Sequence, residues 1–209
     1  MSNAILSKSK FIHIPKCGGT AIQSVLWRIG CIRDKSQVFS EPHFGHLYAS
    51  QMPADNRINF AFVRNPVTWW HSWYWWNKSQ ALSRFNGQEL KTESFDEWVH
   101  EYGPFWLGMY TTMIKRYFGE DENFPTTNKV TLVGKAEHLF TDLKTILDNI
   151  GEKYDEQILD DIINKRLVLP GNEVNSQKYE RGTIADSTKK IILQTEREIF
   201  TRFEYGLPK

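Results

Sequence analysis

The chain has 209 residues, 40% of them apolar, which is enough to bury a core in one domain of ordinary size, expected to span 1–209. Its 26 Lys and Arg nearly balance 25 Asp and Glu, so nothing global points to nucleic acid or to an acidic membrane surface. Two cysteines, Cys17 and Cys31, give neither a disulfide framework nor a ligand set, and no metal site is expected.

Phe11 to Ile14 reads as a short buried strand. Pro15 ends it by removing a backbone donor. Gly18 and Gly19 let the backbone come close to a ligand. Thr20 is suited to cap the helix that begins there and continues over Ala21 to Ile29. A lysine and two glycines leading into a helix N-terminus form an anion site, fit for a phosphate or a sulfate. Lys16 precedes the glycines, and no Gly-Lys-Ser/Thr triplet closes the turn, which sets it apart from the nucleotide-binding P-loop.

Glu41 to Tyr48 is a polar and aromatic stretch with turn residues, and Met52 to Asn56 is a loop. Ile58 to Val63 is a second buried strand that runs into Arg64-Asn65-Pro66. Pro66 suits the first turn of a helix over Val67 to Lys78. Trp69, Trp70, Trp73, Trp75 and Trp76 cover too wide an arc of that helix for one apolar stripe. Some must be core, while one or two can line a cleft, with Phe105, Trp106 and Tyr110 as further candidates.

Phe95 to Tyr102 is a short helix, and Met109 to Phe118 has helical content. Val130 to Gly134 is a third strand, followed by an amphipathic helix from Glu137 to Ile150 that Gly151 ends. Leu167 to Glu180 is irregular, and a long final helix covers 184 to 203. Strands alternating with helices imply an α/β fold on a parallel sheet, with ligands at the carboxyl ends of the strands. Lys16 follows the first strand and Arg64 the second, so two cations at one edge suit a ligand with two separated anionic groups. The planar arginine fork fits a phosphate, and the Ser72 hydroxyl on the next helix can add a donor. No signal-peptide pattern precedes the first strand and no run of about 18 apolar residues occurs, so a cytoplasmic chain without a transmembrane segment is expected.

His13-Ile-Pro-Lys-Cys-Gly-Gly-Thr20 resembles the 5′-phosphosulfate-binding loop of the PAPS-dependent sulfotransferases. Phe62-Val-Arg64-Asn-Pro66 through Ser72-Trp-Tyr74 is similar to their 3′-phosphate-binding strand and helix, in which an arginine and a serine hold that phosphate. Leu132-Val-Gly-Lys-Ala-Glu137-His-Leu resembles their third recurring segment, and Asn172 to Gly206 resembles their C-terminal segment. The likeness is strongest to carbohydrate sulfotransferases and their soluble bacterial relatives. Two positions depart from the pattern: Trp69 stands where an arginine is common, and Cys17 where threonine is frequent.

The resemblance implies an α/β, P-loop-like three-layer fold with a central parallel sheet flanked by helices. It implies PAPS as sulfate donor, PAP as product, and a hydroxyl acceptor of the saccharide or glycolipid class. Lys16 would stabilise charge on the leaving oxygen. Cys17, Gly18, Gly19, Thr20 and Ala21 would hold the 5′-phosphate, and Arg64 and Ser72 the 3′-phosphate. Arg181 precedes the last helix, where the family's closing loop lies. The Gly45-His46 pair is similar to one whose histidine serves as general base, which makes His46 the first choice, His43 the second and Glu41 the third. His43, Trp73 and Trp106 are the expected acceptor contacts. His13 is expected to be structural. Two competing readings are a P-loop-type kinase, for which no aspartate ends the third strand to hold magnesium, and a glycan-binding protein on a vestigial nucleotide site.

Overall fold

The computed structural model describes residues 3–39, 46–79, 94–167, 169 and 183–207. In chain order its regular elements are β1 (Asn3–Ile5), β2 (Ser9–Ile12), α1 (Gly19–Arg28), β3 (Val38–Phe39), β4 (Ile58–Val63), α2 (Pro66–Ser79), α3 (Phe95–Trp106), α4 (Met109–Phe118), β5 (Val130–Lys135), α5 (Leu139–Ile150), α6 (Glu156–Ile163), α7 (Asp186–Thr195) and α8 (Arg197–Arg202). The chain divides into two compact units, one made of Met1–Val63 and Ile114–Ser176, the other of Arg64–Met113 and Gln177–Lys209.

The first unit holds a five-stranded sheet in the order β3-β1-β2-β4-β5. The three strands expected from apolar runs are β2, β4 and β5, and they pair parallel. Their carboxyl ends therefore share one edge, and the turn holding Lys16 leaves β2 there. Phe11, Ile12, Phe60, Ala61, Phe62 and Val63 are all buried, as befits strands covered on both faces. Gly134 is required on β5 because a Cβ there would lie 2.4 Å from the Phe62 ring on β4. α5 packs on β4 and β5 and also meets α1 and α6.

The expected wholly parallel sheet is a mixed one. β1 turns back on β2 in an antiparallel hairpin, closed by the Leu6 N–H donating to the Ser9 carbonyl at 2.8 Å, and β3 pairs antiparallel with β1. These strands are three and two residues long, too short to give a period-two signal.

The second unit is helical. α7 contacts α2, α3 and α8. Trp69, Trp70, Trp98, Tyr74 and Tyr110 form its aromatic core. Trp69 stacks on Tyr110 with centroids 4.4 Å apart, and Trp70 meets Trp69 edge-on at 5.0 Å. The expected single final helix is two, α7 and α8, with Glu196 at the break. Glu196 is fully buried. Its Oε1 accepts from Trp70 Nε1 (2.9 Å), Gly108 N (2.9 Å) and Tyr110 N (3.3 Å), and its Oε2 from Thr111 N (2.9 Å) and Thr111 Oγ1 (2.6 Å). A carboxylate at the start of α4 satisfies helix N–H groups that would otherwise lack partners.

Candidate functional site

In the first unit the turn between β2 and α1 is built by its glycines and by one unusual lysine. Lys16 has a positive φ of 65°, a conformation uncommon for a residue with a Cβ and held only where the surroundings fix it. Gly18 follows at φ 81° and is the N-cap of α1, which has no side-chain cap. The helix begins at Gly19, one residue earlier than expected, and Thr20 is its exposed second residue rather than its cap. The first N–H groups of an α-helix have no partner within the helix, so an uncapped start presents donors and the positive end of the dipole together. Lys16 is half-buried beside this start, Cys17 is buried, and Ala21 is half-buried within α1.

Both glycines are needed by close packing. A Cβ on Gly18 would lie 2.9 Å from Leu139 Cδ1, at the beginning of α5. The segment expected to be the third recurring element therefore meets the turn. A Cβ on Gly19 would lie 1.9 Å from His13 Cδ2 and 2.1 Å from His13 Nε2. His13 is buried, stacked on Phe11 at 5.8 Å, so its structural reading is the one the packing supports.

His46 lies beside this turn, its ring edge-on to His13 with centroids 4.4 Å apart. Burial lowers its pKa to about 4, opposed by a hydrogen bond with the His13 backbone. His46 Nδ1 is buried and has no hydrogen-bond partner among the described residues. At neutral pH the ring is uncharged.

In the second unit Arg64, the residue after Val63, is half-buried. Its N–H donates to the Tyr110 hydroxyl at 2.9 Å, which donates in turn to the Arg64 carbonyl at 3.0 Å. Its Nε donates to Thr68 Oγ1 at 3.1 Å. Asn65 Oδ1 accepts from the Val67 N–H at 3.0 Å and closes the start of α2. Thr68 and Ser72 are four residues apart on α2 and so share one face. The bond to Thr68 draws the Arg64 side chain toward the face that carries the half-buried Ser72.

The tryptophans divide as expected between core and partial exposure. Trp69 and Trp70 are fully buried, while Trp73 is half-buried, stacked on Trp69 at 5.9 Å. Trp69 thus serves packing. Trp106 is half-buried at the end of α3, and Phe105 is the most exposed large apolar side chain among the described residues, at 83%. Tyr110 is fully buried and braces Arg64, so it is no cleft wall. Glu41, His43 and Arg181 lie outside the described residues.

Sequence reasoning missed Asn3 and Thr68, whose contacts are tertiary or depend on an arginine rotamer. A surface cavity of about 450 Å³, lined by Leu193, Gln194, Arg197, Phe200, Thr201 and Tyr205, contains none of the expected site residues. Among the described residues no group of three or more His, Cys, Asp or Glu is placed to hold a metal ion, and no helix is long and apolar enough to cross a membrane. No protein-family model, curated protein or solved structure matches the chain.

Proposed function

We propose that this chain is a PAPS-dependent O-sulfotransferase of the P-loop-like three-layer type, acting on a hydroxyl of a saccharide or glycolipid. The observation that supports it most is the uncapped start of α1, led by Lys16 in a left-handed backbone conformation. Such a turn suits an anion that the backbone holds and a cation that follows charge during reaction. Within the second unit, Arg64 with Thr68 and Ser72 along α2 is a further element fit for a phosphate.

The backbone N–H groups of Gly18 to Ala21 hold the 5′-phosphate, with the Thr20 hydroxyl as a further donor. Arg64 and Ser72 hold the 3′-phosphate. The acceptor oxygen forms a bond to sulfur as the bond from sulfur to the 5′-phosphate oxygen breaks, and the electron pair leaves with that oxygen. Lys16 neutralises the growing charge, an electrostatic contribution of about 10²–10³-fold in rate by analogy with an oxyanion donor. His46 is the proposed acceptor of the hydroxyl proton. Its pKa of about 4 without substrate keeps it unprotonated but weakly basic. Trp73 and Trp106 are the proposed acceptor walls, and the proposed setting is the cytoplasm.

The test is transfer of labelled sulfate from PAPS to a panel of saccharide and glycolipid hydroxyls, with EDTA present. Product is expected with wild type, and Lys16→Ala is expected to lower turnover at saturating PAPS by about 10²–10³-fold. Full turnover by Lys16→Ala would remove its role. A phosphoryl transfer that needs magnesium and ATP would favour a kinase instead.

A further inference from the structure

We propose that Asn3 is a positioning residue for this site, tying the β2–α1 turn to the segment that carries His46. Asn3 opens β1 and is fully buried. A buried amide is costly unless its polar atoms are matched. This one is matched on two segments at once. Its Oδ1 accepts from the His13 N–H at 2.9 Å, and its Nδ2 donates to the Leu47 carbonyl at 2.7 Å, with Met52 Sδ at 3.3 Å.

His13 is the first residue past β2 and carries the ring that Gly19 packs against. Leu47 directly follows His46. One side chain therefore fixes the residue beneath the helix start and the residue beside the candidate base. The edge-on contact of His13 and His46 at 4.4 Å lies between these two anchors. Few side chains could substitute. A carboxylate has no donor for Leu47, an aliphatic chain has neither group, and a hydroxyl is too short to span both.

Loss of the clamp frees the His46 segment while leaving Lys16, Gly18 and the start of α1 chemically intact. The consequence is a more solvated imidazole and a misplaced proton acceptor. The experiment is an NMR titration of His46 in wild type, Asn3→Ala and Asn3→Ser, beside steady-state kinetics with PAPS. In the variants the His46 pKa is expected to rise from about 4 toward the ordinary 6.5, by about one unit or more. Turnover is expected to fall about tenfold to a hundredfold with the KM for PAPS changed less than about threefold.

The serine variant keeps the test decisive if the alanine variant folds poorly. A His46 titration identical to wild type in the folded variants would overturn the proposal, even if their melting temperatures fell, because Asn3 would then serve stability alone. The kinetic arm rests on the sulfotransferase reading and the titration arm does not. A wild type that transfers no sulfate from PAPS removes that reading while the titration still decides the role of Asn3.

Discussion

Replacing Gly19 by alanine tests the packing at the centre of the site. The added Cβ would lie 1.9 Å from His13 Cδ2, 2.1 Å from Nε2 and 2.6 Å from Cγ. Ordinary contact needs about 3.5 Å or more, so the ring or the helix start must move by about 1.5 Å. The ring has nowhere easy to go. It is buried, stacked on Phe11 at 5.8 Å and edge-on to His46 at 4.4 Å. Overpacking of this kind costs about 1–3 kcal/mol, and the depth of overlap puts this case at the upper end. For a chain of this size that is a fall in melting temperature of about 6–12 °C. A 1 Å displacement of the proposed anion cradle should also weaken PAP binding by about tenfold to a hundredfold. Gly30→Ala is the control: its φ is 76° but nothing lies within 4 Å of the added Cβ, so only the backbone strain of about 1–2 kcal/mol remains. The assays are thermal unfolding by circular dichroism and calorimetric titration with PAP. If Gly19→Ala is no less stable than Gly30→Ala and binds PAP as wild type does, the packing argument is wrong.

Removing Glu196 should be severe for the helical unit, since Glu196→Ala leaves the donors of Trp70, Gly108, Tyr110 and Thr111 unmatched in a fully buried place. With several donors left unsatisfied, a loss of about 3–5 kcal/mol is expected in urea unfolding followed by tryptophan fluorescence, and a loss below about 1 kcal/mol would refute the hub. His46 gives a signed pH dependence. Its folded pKa of about 4 lies below its ordinary 6.5, so the unfolded chain binds the proton first on acidification. The stability it contributes is present above pH 6.5 and is lost as the pH falls toward 4. His46→Gln should flatten the urea midpoint across that window, and an unchanged slope would contradict the buried, neutral imidazole.

The parallel core of the sheet was legible because Ile58 to Val63 and its partner strands are apolar runs bounded by Gly, Pro or charged residues. β1 and β3 were not, since one opens on a polar Asn3 whose burial depends on contacts 10 and 44 residues away. The break in the last helix was also hidden. Glu196 looks like an ordinary surface glutamate in a helical sequence until Trp70 and the start of α4 surround it. α6 went unread although Asp155 caps it at Ile158 with a 3.0 Å bond, a pattern that local reasoning can find. The glycine turn leading into α1 was legible, but its demands were not. Gly18 and Gly19 are fixed by Leu139 and His13, and only the fold brings those side chains there. The tryptophan run showed that some of its rings must be core, while the assignment of Trp69 and Trp70 to that core came from Tyr110 and Trp98.

The most direct test of the central claim is calorimetric titration with PAP in EDTA, set against adenosine 5′-phosphate. The account predicts one-to-one binding of PAP without metal, at least about tenfold tighter than the ligand lacking the 3′-phosphate, a difference of about 1.4 kcal/mol or more. That advantage should vanish in Arg64→Ala. Absence of PAP binding, or equal affinity for the two nucleotides, would contradict it.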